Sequence, residues 1–446
     1  MKKNILLKLS ICSFIFTSCS TWNTLWLPET ASTPALRTTA SNKDDNEKDC
    51  ANEWIAIDNH KDSQIRSNPA HYWCWISKNM PSELQNLVTF KGPVTGDPHY
   101  FNFGDVHRKK GTPEGDLTLV DVDDSGYGSY IYDLIRYAIF VRAYNKDSEI
   151  GSLKDLIDSY KAGLKQNINY DVKTPEYVNA AVATPRKHLM HRHKEWVKEN
   201  TKKDQLDYKK LDLKPIAQLS LEQKTLLKKL SPLLEEKTEK KIKDVGFTVY
   251  DSGSSNGLIR YWFLIKNPKN ENMYIKECKA LSKPAVALAN KDQKNPLDRI
   301  ESVLKPYSTF RTDVEKDSFV LTVDNQNSFW CRYREFQAMK RGPVKKMKND
   351  RKKMAQLSEY FAFWLGSKIS YQTNGKKYLD SLDKTKNLDN QINDLLNTYE
   401  KVFNRLNKNG LKLSDILENS DNQLTESDDT PYSPLSIYTD AADDDE

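Results

Sequence analysis

Residues 95–138, TGDPHYFNFGDVHRKKGTPEGDLTLVDVDDSGYGSYIYDLIRYA, gather the side chains best suited to chemistry. Asp97, His99 and Asn102 share one short Gly/Pro turn, and Asp121 and Asp123 return at the end of an apolar strand. A carboxylate and an amide five residues apart, followed after a hairpin by a second carboxylate about twenty residues on, is a spacing that phosphoryl transfer uses. That reaction needs an oriented nucleophile, charge neutralisation on the phosphates and a cradle for them. In this pattern Asp97 accepts the proton of a substrate hydroxyl, and His99 positions Asp97 or a phosphate. Asn102 and Asp121 hold magnesium, a hard ion that prefers oxygen ligands. Asp123 binds a second ion or orients Asp121. Asp133, opening a helix, reads as a brace for the loop. Taken singly, Asp97 and Asn102 are ordinary turn formers and Asp123-Asp124 an exposed acidic turn. The joint spacing favours a site.

The elements that must position these residues follow from periodicity. Apolar residues recur at helical spacing in DLIRYAIFVRAYN and SLKDLIDSYKAGLKQ, and residues 133–235 are mostly helical in pattern. LSLEQKTLLKKLSPLLEEKTEKK adds a helix with Ser220 as its cap. Near residue 244 the period changes to two. GFTVYDSGSSNGLIRYWFLIKN reads as a hairpin about a Gly/Ser/Asn turn, and NMYIKECKA, SFVLTV and SFWCRYREFQ read as further strands. Residues 354–371 and 388–408 return to helix.

The N-terminus, MKKNILLKLSICSFIFTSC, has the basic start and short apolar run of an export signal, too short to span a bilayer. Phe16-Thr17-Ser18-Cys19 resembles a lipobox with Phe16 in place of an aliphatic residue, so lipidation of Cys19 and ordinary cleavage nearby both stay open. Loss of residues 1–18 removes three lysines and no acid, taking the formal net charge from +6 to +3. A charge so nearly balanced gives no support to nucleic-acid binding. Residues 19–50 read as a flexible tether rich in Ser, Thr and Pro, and 413–446, without a basic residue, as an acidic disordered tail. Cys50, Cys74, Cys278 and Cys331 permit three pairings in an exported chain, or four buried thiols.

In order, these segments resemble the bacterial family called domain of unknown function 2252. Its GDxHxxNFG motif is matched by Gly96-Asp97-Pro98-His99-Tyr100-Phe101-Asn102-Phe103-Gly104. Its NDFDE motif corresponds to Val120-Asp121-Val122-Asp123-Asp124 and its WDLKR motif to Tyr132-Asp133-Leu134-Ile135-Arg136. Later matches are Gly253-Ser254-Ser255-Asn256-Gly257, Ile275-Lys276-Glu277-Cys278, and Arg334 with Met339-Lys340. The resemblance runs from about residue 70 to 410 and implies an α+β, protein-kinase-like fold, circularly permuted, related in motif to aminoglycoside phosphotransferases. It implies a catalytic-loop and helical lobe over 51–240, an antiparallel sheet lobe over 241–345 and C-terminal helices over 346–412.

By this resemblance Lys276 reaches the nucleotide phosphates, Gly253 and Gly257 cover them, and Glu301 in RIESVLK partners the lysine, although an ungapped alignment puts Ser302 there. The implied cofactors are magnesium and ATP or another nucleotide, with Asp97 and His99 as catalytic residues and Asn102, Asp121 and Asp123 as metal ligands. On a kinase-like sheet Cys278 and Cys331 are neighbours, which suggests a disulfide, with Cys50–Cys74 as the second. The expected protein is an exported phosphotransferase of the bacterial envelope, an outer-membrane lipoprotein if Cys19 is lipidated, acting on an unknown acceptor. The alternative is an inactive pseudokinase serving as a binding or assembly lipoprotein. His188, His191 and His193 lie among lysines and arginines, where local positive charge opposes a metal cation, so they read as a solvated basic helix. The run 339–353 likewise reads as a solvated face. No GxSxG, HExxH, CxxC or Walker-type loop occurs, which leaves hydrolase, zincin and P-loop chemistry without their usual motifs.

Overall fold

A computed structural model describes residues 50, 53–54, 61–108, 115–119, 121–145, 152–166, 173–183, 186–249, 257–307, 318–325, 327–334 and 341–408. The expected signal segment, the tether up to residue 49 and the acidic tail, with Cys19, Val120, Gly253, Met339 and Lys340, lie outside these residues. Helices α1 (Lys61–Arg66), α2 (Pro69–Asn79) and α3 (Gln85–Val88) come first. Four short strands follow: β1 (Lys91–Val94), β2 (Phe103–Arg108), β3 (Gly115–Leu119) and β4 (Gly126–Ser129). β1 pairs antiparallel with β4, and β2 with β3, so the chain leaves and re-enters the β1–β4 ribbon around the loops of interest.

Helix α4 (Tyr130–Asn145) begins where β4 ends and is buried on nearly every side. An apolar sequence all round the helix suits a central core position. α1, α2 and α3 pack against it, and α5 (Leu153–Leu164), α6 (Glu176–Ala183) and α7 (Arg186–Glu199) follow in the chain.

Residues 201–215 depart from the helical reading. They form the two-residue strands β5 (Thr201–Lys202), β6 (Gln205–Leu206) and β7 (Lys214–Pro215), with Lys203, Asp204 and Asp212 at positive φ. Left-handed backbone at three sites breaks a helix, and aspartate, the residue at two of them, tolerates it. Helix α8 (Leu221–Thr238) then starts on a capping box between Ser220 and Gln223.

A six-stranded antiparallel sheet adds β8 (Lys241–Val249), β9 (Ile259–Lys266), β10 (Met273–Ala280), β11 (Ser318–Thr322) and β12 (Ser328–Tyr333), in the order β11-β12-β10-β9-β8-β7. The edge strand β7 ends in proline, which cannot donate to a ladder and so suits an edge. Between β10 and β11 lies helix α9 (Pro296–Tyr307). One sheet face, with Tyr261, Phe263, Cys278, Phe329 and Cys331, is covered by Leu227, Leu230 and Leu234 of α8. Trp330, on the other face, joins the main helical core.

Helices α10 (Arg341–Met347), α11 (Arg351–Ser370), α12 (Gly375–Lys384) and α13 (Leu388–Lys408) complete the body. α11 crosses α5 at backbone distance. A Cβ on Gly163 would lie 2.0 Å from the Phe363 carbonyl oxygen, and one on Gly366 2.1 Å from that of Tyr160. The protein is thus α+β, with its sheets antiparallel. Disulfides join Cys50 to Cys74 and Cys278 to Cys331, the latter two directly opposite across β10 and β12. No described helix is long and apolar enough to cross a membrane.

Candidate functional site

The turn between β1 and β2 holds the first group. Gly96 has φ +79°, and a Cβ there would lie 1.9 Å from the Asp124 carbonyl oxygen, so only glycine lets the turn abut the loop before β4. Asp133, in the first turn of α4, fixes this turn. Its carboxylate accepts from Thr95 N, Thr95 Oγ1 and Gly96 N, each at 3.0 Å. The indole of Trp73 donates to the Gly96 carbonyl. The brace expected of Asp133 is therefore present, made to the residues just before Asp97. Burial pushes the Asp133 carboxyl up to about 6 against those donors.

Asp97 is buried, 6% exposed, and accepts from Arg136 Nε at 3.1 Å and Nη2 at 2.8 Å, both on Oδ1. Arg136 lies one turn after Asp133 on α4, so one helix face supplies both the brace and the counter-ion. The other oxygen, Oδ2, lies 3.3 Å from His99 Nε2. His99 Nδ1 accepts from the Phe101 amide at 3.1 Å, which assigns the ring proton to Nε2 and makes His99 a neutral donor to Asp97. Burial raises the Asp97 carboxyl, but Arg136 and His99 outweigh it and hold the pKa below its ordinary value. Asn102 donates its amide to the Asp97 carbonyl oxygen at 2.8 Å and so closes the turn.

The second group forms between the loop 121–125 and the sheet. Lys279 Nζ on β10 contacts Asp123 Oδ2 and lies 3.4 Å from Asp121 Oδ2, so two carboxylates converge on one cation. Lys279 is buried while the Asp121 side chain is 29% exposed. Burial opposes ionisation of Asp121, yet Lys279, Arg332 and Arg260 take its pKa down to about 2. Arg299 of α9 holds the backbone of this loop, donating to the carbonyls of Asp123 at 2.8 Å and of Ser125. Asp124 accepts from the Ala285 amide at 3.3 Å.

Asp97, His99 and Asn102 are thus brought together, and Asp121 and Asp123 are brought together. Asn102 is turned to the Asp97 backbone. Lys276 is not at the carboxylates. It is buried on the opposite sheet face, with Nζ 3.7 Å from the ring centre of Tyr333 and 4.6 Å from that of Phe319. Successive strand residues point to opposite faces, so the lysine three positions on, Lys279, is the one that reaches the loop. Glu301 is exposed on α9, where Arg299 faces inward instead. Gly257 lies two residues before β9 at φ +75°, with open space where a Cβ would be. On α7, His188 and His191 are exposed, whereas His193 is buried and stacked at 5.9 Å on Tyr274.

Arg136, Lys279 and Arg299 carry no local signal beyond their charge. Arg136 and Arg299 lay within quoted motifs and Lys279 within a quoted strand, but none of the three was singled out. The donor set around Asp121 and Asp123 is all oxygen, and its convergence on one ammonium suits a small hard cation such as magnesium. Among the described residues no cluster of three His, Cys, Asp or Glu side chains forms a metal site. Comparisons with protein-family models, curated proteins and solved structures find no match to this chain.

Proposed function

We propose that the protein is an exported, protein-kinase-like phosphotransferase of the family it resembles, moving a phosphoryl group from a magnesium-bound nucleotide to an acceptor hydroxyl. The observation that carries this reading is the meeting of Lys279 with Asp121 and Asp123, a sheet cation set against two carboxylates. The neighbouring turn supports it by holding Asp97 between Arg136 and His99.

In the reaction the acceptor oxygen attacks the terminal phosphorus and the bond to the bridging oxygen of the donor breaks. The hydroxyl proton passes to Asp97 Oδ2, the oxygen that faces His99. Arg136 and Asn102 orient Asp97, through its carboxylate and its backbone respectively. Asp121 and Asp123 would hold magnesium, which when bound neutralises charge on the phosphates. Lys279 then turns its ammonium to the donor's phosphate oxygens.

The test is nucleotide turnover by the full chain with ATP and Mg²⁺ in the presence of envelope extract. Asp97→Asn should abolish turnover while the far-ultraviolet dichroism stays unchanged. Turnover equal to wild type in that variant would contradict the assignment.

A second reading, a pseudokinase that binds without turnover at the envelope, is favoured by one observation. The pairing of Asp97 with Arg136 lowers its affinity for a proton, which weakens it as a base. Nucleotide binding with no turnover in any extract, and a cellular phenotype untouched by Asp97→Asn, would select this reading.

A further inference from the structure

The sheet face that presents Lys279 also presents Glu277, Arg260, Arg332 and Arg334. Glu277 stands opposite Arg332 across β10 and β12, and Lys279 opposite Arg260 across β10 and β9, so register puts all four on one face. Arg334 follows two residues after Arg332 and lies over the Trp262 ring at 5.0 Å. Glu277 is fully buried. Its Oε1 lies 3.4 Å from Arg260 Nη1 and 3.3 Å from Arg332 Nη2, and its Oε2 lies 3.5 Å from Arg334 Nη1.

A guanidinium and a carboxylate that meet as a fork make two parallel hydrogen bonds. Here three guanidiniums gather about one carboxylate at 3.3 to 3.5 Å. Lys279, on the same face, is shared by Asp121 and Asp123. The arginine side chains stay 10%, 12% and 25% exposed, in the order 260, 332, 334, so the patch is reachable from solvent. Planar, weakly hydrated guanidiniums clustered in a largely desolvated patch match the oxygens of a phosphate.

We infer that Arg260, Arg332 and Arg334, beside Lys279, form an oxyanion subsite that binds a phosphate of an oligophosphate chain without a divalent metal. Glu277 gathers the guanidiniums and competes with the ligand for them. The inference rests on the proposed phosphoryl-transfer reading for its ligand class, since phosphates are what that reading brings to Lys279.

The experiment is calorimetric titration of the full chain in EDTA with inorganic tripolyphosphate, and in parallel with ATP and with adenosine. Tripolyphosphate and ATP should both bind and adenosine should not, which assigns recognition to the phosphate chain rather than the base. Arg334→Gln, at the most exposed of the three, should weaken tripolyphosphate binding about tenfold or more, as expected for one lost hydrogen bond to a charged group. Glu277→Gln should bind at least as tightly as wild type, a direction that misfolding does not imitate. No binding of tripolyphosphate at millimolar concentration, or binding unchanged in Arg334→Gln, would overturn the inference. Asp97→Asn should leave the titration unchanged, so absence of phosphoryl transfer and absence of this subsite give different results.

Discussion

Asp97 sits between a permanent cation and a neutral imidazole, and that setting decides how it titrates. Its folded pKa is lowered, as are those of Asp121 and Glu277, each to about 2 for the latter two. Carboxyls depressed in the folded state add stability that is present above their unfolded values near 4 and is lost as pH falls through the folded values. Asp133 has the opposite sign. Its pKa is raised to about 6, so its contribution is full below about 4 and is lost as pH rises through about 6. Urea unfolding across pH 2.5 to 7, as rough bounds, should therefore show stability rising steeply up to about pH 4.5. Asp133→Asn should remove a falling component between about 4 and 6. An acid limb unchanged by Asp121→Asn would contradict the ion pair with Lys279. Arg136→Met leaves the buried Asp97 carboxylate without its strongest partner and should cost about 3–5 kcal/mol in the same assay. The grouping of Asp97, His99 and Asn102 was legible in the sequence because all three lie within one turn, where spacing alone fixes proximity. Their counter-ion Arg136 was named only as part of a helix motif, since its approach depends on how α4 packs.

At the scale of elements, strand parity separates two lysines that are three residues apart. Lys279→Met should abolish any nucleotide-dependent stabilisation, whereas Lys276→Met should leave it intact and cost stability through the loss of its contacts with Tyr333 and Phe319. Equal loss of ligand response in both variants would contradict the assignment of faces. The sequence pattern marked β10 as a strand and marked its neighbours, because period-two alternation and aromatic content are local properties. Which lysine faces the loop was not legible, since parity relative to Asp121 is set by the turns and register linking distant strands. Glu301 illustrates the same limit: α9 was legible as a helix, but its inward residue is Arg299, as the rotation of α9 against the loop 121–125 dictates. The segment 201–215 was misread as helix because its composition is polar and charged, and only three left-handed residues break it. The crossing of α5 and α11 depends on backbone contact at Gly163 and Gly366. Gly366→Ala should overpack it by about 1–3 kcal/mol, read as a lowered urea midpoint.

At the scale of the whole molecule, the helical body and the sheet meet through the ion pairs of Lys279 and the packing of Trp330, and each part carries its own disulfide. Peptide mapping without reduction should recover Cys50–Cys74 and Cys278–Cys331, the pairs seen in the structure, and four free thiols would contradict it. The second pair was suggested in the sequence only by the sheet order that the resemblance implies, and the first was named beside it with no local signal of its own. The central claim, that Asp121, Asp123 and Lys279 form a site for a magnesium-bound nucleotide, is tested most directly by thermal unfolding of the full chain. The melts compare ATP with Mg²⁺ against either alone, for wild type and Asp121→Asn. Ligand at a hundredfold excess over its dissociation constant should add about 2.7 kcal/mol of stability. The expected result is an upward shift that is largest with ATP and Mg²⁺ together and is lost from that combination in Asp121→Asn. No shift at millimolar ATP and Mg²⁺, or the same shift in wild type and variant, would contradict the site.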